Sequence, residues 1–164
     1  MPPRSRLVRK LSVVAIALTG GGWIAGSAAI SATGSRTDES TTNQIVLGSP
    51  NYAGKYGRGW GDVKPKRIDN GGVPSGVVVK IHWRRWGSAV ALGRGQTYIY
   101  KPRGGYYKKR GAIKLRASRR GTCPGTNGQR AYTRLRARVV KRPGGKFGRW
   151  FSWAGTKDIC SFNS

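Results

Sequence analysis

Ala112-Ile-Lys-Leu-Arg-Ala-Ser118 and Ala131-Tyr-Thr-Arg-Leu-Arg-Ala-Arg-Val-Val140 decide the fold. In the first, Ile113, Leu115 and Ala117 alternate with Lys114 and Arg116. In the second, Thr133, Leu135, Ala137 and Val139 alternate with Tyr132, Arg134, Arg136 and Arg138. Successive side chains of an extended chain point to opposite sides, so a period of two marks a strand with one buried face. Both stretches are expected as strands with an apolar inner face and a cationic outer one.

Working outward, Val77, Val79, Ile81 and Trp83 share one face of another expected strand, with Lys80, His82 and Arg84 on the other. Ser88 to Leu92 and Gln96 to Tyr100 are expected as two short segments separated by Gly93 and Gly95, and a last strand covers Phe147 to Trp153. Turn residues at Asn70-Gly-Gly72, Lys101-Pro-Arg-Gly-Gly105, Pro124-Gly125, Asn127-Gly128 and Pro143-Gly-Gly145 punctuate these runs. No stretch after residue 35 has a helical period. About five to seven short strands at this spacing predict an all-β domain over residues 76–164, a small antiparallel sandwich or barrel. Residues 33–75 read as a Gly- and polar-rich irregular segment, from which Ile45-Val-Leu47 and Trp60 can dock as an edge strand.

The N-terminal segment reads as an address. Arg4, Arg6, Arg9 and Lys10 precede an uncharged run from Leu11 to Ser35, and Leu11 to Leu18 has the length of a signal-peptide apolar region. Small residues from Ala25 to Ala32 offer several cleavage points. Residues 1–32 are therefore expected to be a signal peptide, and the protein to be secreted. The alternative is an uncleaved anchor with the domain outside, because the uncharged run reaches the roughly 20 residues that span a bilayer. Gly20-Gly-Gly22 argues against a stable membrane helix there.

Cys123 and Cys160 are the only cysteines, and an oxidising compartment would pair them. Closing that loop would stabilise the fold by about 3.8 kcal/mol on a chain-entropy basis. A structural zinc site takes four ligands, and His82 is the only histidine. Neither a metal nor a cofactor is expected.

Charge sets the class of partner. Lys and Arg number 32 against five acidic residues, a net +27 over 164 residues, and removal of residues 1–32 takes four cations and leaves +23. Arginines outnumber lysines 20 to 12. Arginine is the better fork for phosphate and carboxylate, although GC-rich codons enrich Arg, Gly, Ala and Pro together. Codon usage does not account for the scarcity of Asp and Glu. If the alternating strands are neighbours, Lys114, Arg116, Arg134, Arg136 and Arg138 gather on one outer face. Like charges opposite one another destabilise a sheet, and a bound polyanion relieves that repulsion, as does plain salt. A merely solvated face is the other reading.

Arg103-Gly-Gly-Tyr-Tyr107 looks like an RGG element with stacking aromatics, or else a basic hairpin loop. With Lys108, Lys109 and Arg110 beside it, it forms the densest charge cluster. Trp83-Arg-Arg-Trp86 resembles Trp/Arg mixtures of membrane-active peptides. On a strand, however, positions i and i+3 face opposite sides, so Trp83 is expected in the core with Trp86 at the strand end. Trp150-Phe-Ser-Trp153 repeats that spacing.

Catalytic parts are scarce. His82 is the one candidate general acid or base and needs a titrating partner. Beyond Asp38 and Glu39 there are only Asp62, Asp69 and Asp158. Asp62 and Asp69 are the nearest thing to a glycosidase pair, and both sit in turn sequence. No G-x-S-x-G elbow supports a serine nucleophile. A non-enzymatic protein is expected.

The run Ile81-His-Trp83, Trp86-Gly87, Ala91-x-Gly93-x-Gly95, Cys123, Ala131-Tyr132 and Ile159-Cys160 resembles small exported proteins of unknown function from high-GC Gram-positive bacteria. The resemblance implies an exported β domain with a structural disulfide and no established activity. Strong basicity is not part of that pattern, so the shared residues read as fold-makers rather than a site. The expected partner is an anionic polymer or surface: cell-wall teichoic acid, anionic lipid or nucleic acid. Its expected contacts are Arg103, Lys108, Lys109, Arg110, Lys114, Arg116, Arg134, Arg136 and Arg138. The alternatives are a secreted effector, either a nuclease or a membrane-active toxin, and an inhibitor presenting a glycine-rich loop to another secreted enzyme.

Overall fold

The structure is a computed structural model that describes residues 44–161. The expected signal peptide and the polar stretch holding Asp38 and Glu39 lie outside the described residues. Eight strands occur among the described residues: β1 (Val46–Leu47), β2 (Gly57–Arg58), β3 (Ile68–Asn70), β4 (Val77–Arg84), β5 (Val90–Thr97), β6 (Gly111–Thr122), β7 (Arg130–Val139) and β8 (Phe151–Ser152). They form one sheet in the order β1-β7-β6-β5-β4-β3-β2, with β8 also on β7. The sheet curls into a half-barrel. All pairings are antiparallel except β1 on β7. The all-β class and the Cys123–Cys160 disulfide, with Cα atoms 4.9 Å apart, are as expected. No helix among the described residues is long and apolar enough to cross a membrane.

The β6–β7 hairpin follows its alternation through most of its length. Ile113, Leu115, Ala117, Leu135 and Ala137 are all buried, while Lys114, Arg116, Arg136 and Arg138 point away from the core. The expectation fails at Tyr132, which sits in the core at 0% exposure rather than among the arginines. The phase changes opposite Arg119, whose φ of 56° puts a left-handed residue in β6. There the ladder skips from Ser118↔Arg134 to Arg120↔Tyr132, and the Thr133 carbonyl accepts the Ile159 N–H instead (2.8 Å). Tyr132 then packs edge-on against Trp86 at 5.1 Å. Its hydroxyl accepts the Gly87 N–H (2.9 Å) and donates to the Ser88 carbonyl (2.7 Å).

A similar shift corrects β4. Val78 and Ile81 are the buried residues there, not Val77 and Val79 with Ile81. Lys80 has a φ of 53°, and the pairing with β5 slips between Val79 and His82, a β-bulge that inserts one residue and flips the face. The bulge frees the Ile81 N–H to reach the Lys66 carbonyl (3.0 Å).

Strand β5 is continuous, whereas the sequence predicts two segments broken by glycine. Ala91, Gly93, Gly95 and Thr97 form its inner face. A side chain at Gly95 would meet the Val79 carbonyl at 2.9 Å, and one at Gly93 would meet the Trp83 indole at 3.0 Å. The A-x-G-x-G spacing is thus the small-residue face against which the curled sheet closes. The last strand is shorter than expected: Phe147 makes only an isolated bridge to Val140, and β8 covers two residues.

The segment expected to be irregular supplies, from Gln44 on, β1 to β3 and much of the core. Ile45, Val46, Leu47, Tyr52, Trp60 and Ile68 are buried. Strand β1 lies between β7 and residues 61–62, with the Leu47 N–H on the Asp62 carbonyl (3.0 Å) and the Gly61 N–H on the Leu47 carbonyl (2.8 Å). Tryptophan N–H groups tie this segment to the sheet. Trp60 donates to Asp69 O, Trp83 to Pro65 O, and Trp86 to Ile45 O, each at 2.9 Å. A half-buried indole needs such a partner for its one polar atom. Trp83 and Trp86 meet edge-on at 4.8 Å instead of facing apart, because Arg85, with φ 57°, turns the chain after β4.

Candidate functional site

The outer face of β4 to β7 carries two cross-strand rows made mostly of arginine and lysine. One row runs His82, Arg94, Lys114, Arg138, each directly paired with the next. The second runs Arg84, Leu92, Arg116, Arg136, then Ser152 on β8. Arg134 lies one pair further along, opposite Ser118. Neighbouring strands are about 4.8 Å apart and alternate residues of a strand about 6.8 Å apart, so the rows make a compact grid of positive charge.

No carboxylate of the described residues sits on it. Asp62, Asp69 and Asp158 are the carboxylates of the described residues. Asp69 pairs with Arg67 at 2.7 Å, the one ion pair among the described residues, and also accepts the Gly71 N–H (3.0 Å). Asp158 accepts the Cys160 N–H (2.8 Å), which fixes the turn into the disulfide. The grid therefore balances its charge with solvent ions or a ligand.

Aromatic rings border the grid at its β8 side. Lys114 Nζ lies 4.6 Å from the Phe147 ring centre, and the Arg138 guanidinium lies 5.3 Å from Phe147 and 5.0 Å from Trp150. Arg136 donates a long hydrogen bond to the Trp150 carbonyl (3.4 Å). The Nε atoms of Arg134 and Arg138 are buried without a hydrogen-bond partner. Desolvated donors of this kind raise the free energy of the unliganded face.

The sequence-predicted residues fall into two groups. Lys114, Arg116, Arg134, Arg136 and Arg138 come together on the sheet. Arg103, Lys108, Lys109 and Arg110 are on the β5–β6 connection, a finger closed by a Tyr100↔Tyr106 bridge. Arg110 rests over the Tyr98 ring at 4.8 Å. Tyr107 of this finger shares a cleft of about 620 Å³ with Lys141, Arg142 and Lys146 of the next connection. A separate cleft of about 340 Å³ is lined by Tyr98, Tyr100, Phe151 and Trp153.

Sequence reasoning missed Arg94, Phe147 and Trp150. Reading β5 as one strand would have placed Arg94 outward between His82 and Lys114. Phe147 and Trp150 carry no such signal, since only the Val140↔Phe147 bridge and the β7–β8 register put them beside Arg138. His82 is exposed on the grid across from Arg94. No cluster of three or more His, Cys, Asp or Glu side chains suited to a metal occurs among the described residues.

Fold and face together define an all-β domain whose best-paired strands present an uncompensated cationic grid. Comparison with protein-family models, curated proteins and solved structures returns no match for this chain.

Proposed function

We propose that this chain is an exported, non-enzymatic module that binds an anionic polymer through the outer face of β4 to β7. The observation that supports it is the register: Lys114 with Arg138 and Arg116 with Arg136 stand directly opposite one another, with no carboxylate between them. Like charges so placed cost stability, and a polyanion laid across the rows turns that cost into attraction. The finger residues Arg103, Lys108, Lys109 and Arg110 extend the same field beyond the sheet. Export rests on the N-terminal sequence, and the disulfide is compatible with it.

The test is a titration of the folded domain against a DNA duplex and against isolated anionic cell wall at several salt concentrations. The same chain, reduced and unfolded, is the control, because it carries nearly the same charge. Tight binding by the folded form alone, with log affinity falling linearly in log salt, supports the reading. Equal binding by both forms overturns it and makes the charge a bulk property. Replacing Lys108, Lys109 and Arg110 by Gln should flatten the salt slope, and an unchanged slope would remove the finger from the site.

A further inference from the structure

Arg138 differs from every other cation on the face. Its guanidinium lies against two rings, Phe147 and Trp150, and its Nε is buried. Those rings are held in place by the chain around them. Phe147 bridges Val140, Phe151 pairs with Ala137, and Trp153 is buried with its indole N–H on Asn70 Oδ1 (3.0 Å). An arginine clamped this way has already lost rotamer freedom that binding would otherwise remove. It has also shed part of its hydration, which strengthens its attraction for an anion. With Nε covered, the terminal nitrogens remain as a planar fork. Lys114 stands directly across on β6, and Arg136 stands two residues away on the same strand face.

We infer that Arg138, clamped by Phe147 and Trp150 and flanked by Lys114 and Arg136, is a phosphate-reading subsite whose ligand is a polyol phosphodiester chain. The inference rests on the polyanion-binding reading above and names its ligand chemistry. The two non-bridging oxygens of a phosphodiester accept hydrogen bonds all round the P–O axis, so one group can meet the Arg138 fork in plane and a flanking cation out of it. Carboxylate oxygens accept near their own plane, which the fork already occupies. Nucleic acid fits less well: binding of single strands draws on open ring faces for base stacking. Here Phe147 already carries Lys114 and Arg138, and Trp150 carries Arg138.

The experiment titrates the full disulfide-bonded chain with poly(glycerol phosphate), poly-γ-glutamate and oligothymidylate of matched charge, at one low salt concentration. Wild type should prefer poly(glycerol phosphate). Arg138→Lys keeps the charge and loses the fork, so it should weaken that polymer about tenfold. Poly-γ-glutamate also takes the fork but gains no out-of-plane contact with a flanking cation, so it should lose less, about two- to threefold. Arg58→Lys, on β2 at the far edge of the sheet from β7, should change both polymers by less than about twofold. Phe147→Leu with Trp150→Leu should reproduce the Arg138→Lys loss. If that double variant melts early, the two arginine variants decide alone. Equal effects of Arg138→Lys and Arg58→Lys, or equal wild-type affinity for phosphate and carboxylate polymers, overturn the subsite while leaving polyanion binding intact. Tighter binding of oligothymidylate, weakened by the ring variants, overturns the polyol assignment in favour of nucleic acid. Binding no better than that of the reduced, unfolded chain brings down the underlying reading as well.

Discussion

Arg116→Glu should make the fold more stable and its outer face a poorer binder. Arg116 sits on β6 directly across from Arg136, with Leu92 on its other side. A charged pair directly opposite contributes about 0.2–1 kcal/mol, with the sign set by the charges. Reversing one partner removes a repulsion and adds an attraction, a swing centred near 1 kcal/mol. For a domain of this size that is a rise in Tm of about 3–6 °C. The assay is thermal unfolding followed by circular dichroism at about 0.01 M and 1 M NaCl, where the screening length falls from about 30 Å to about 3 Å. The gain should be large at low salt and shrink at high salt, while the wild type should itself melt higher as salt is added. Arg58→Glu, on β2 at the far edge of the sheet, changes net charge equally and should gain less. In parallel, the slope of log affinity for a phosphodiester polymer against log salt should fall by about 0.7–0.9 for the lost contact. A lower Tm for Arg116→Glu at low salt, or a gain indifferent to salt, would refute the account of the face as self-repelling.

Gly95→Ala should cost about 1–3 kcal/mol by overpacking, since its Cβ would come within 2.9 Å of the Val79 carbonyl. Gly72→Ala, with no atom within 4 Å, should stay within about 0.5 kcal/mol in denaturant melts, and equal costs would sink the close-approach argument. Burial pushes the Tyr132 phenol above its ordinary value, while the Gly87 N–H and Arg120 pull it back in part, and burial alone raises Tyr52. The folded chain therefore holds these protons more tightly than the unfolded one. Their contribution to stability is complete below about pH 10 and is lost as pH rises through the folded values. A spectrophotometric titration should show both phenols ionising with unfolding, and NMR evidence of ionised Tyr132 in a folded chain would contradict this. Reducing Cys123–Cys160 should lower stability by about 3.8 kcal/mol, read as a shifted denaturation midpoint with little change in slope.

The alternation of Ile113, Leu115 and Ala117 with Lys114 and Arg116 is legible because one face of β6 is wet and the other dry. It fails wherever the backbone leaves the pleat. Lys80, Arg85 and Arg119 all have positive φ, and nothing about a lysine or arginine announces a left-handed conformation, unlike glycine. At Lys80 a one-residue register slip changes which face is buried, so simple alternation puts Val78 on the wrong side; at Arg119 the register holds but the pair with Thr133 is missing, and Tyr132 turns inward there. The glycines of β5 mislead in the opposite sense. Gly93 and Gly95 read as breaks, yet they are required where Trp83 and Val79 come close. Val46 and Leu47 are both buried because β1 is covered on both faces, and a two-sided strand has no alternation to read. The cationic half of the face is visible in sequence as five residues on two strands. Its aromatic border is not, because Trp150 reaches Arg138 only through the β7–β8 register.

Placement matters more than the amount of charge. A basic tail of equal charge would bind polyanions as well by counterion release, but would order itself only on binding and would not choose among them. Here the cations sit on β6 and β7, each strand flanked by neighbours on both sides, above a core of Leu115, Ala117, Leu135 and Ala137 at no more than 1% exposure. Their mutual repulsion is opposed by that core, by β1 on β7 and by the disulfide, so the grid exists before any ligand arrives. Spacing is then a property of the sheet, and selectivity can depend on it. The finger at 98–110 rests on the buried Ile99, its own hairpin hydrogen bonds and ring contacts rather than on a strand along each side. On the reading proposed above, the finger adds affinity by following a polymer that leaves the sheet, and discrimination between phosphate and carboxylate belongs where a guanidinium is clamped in advance, at Arg138.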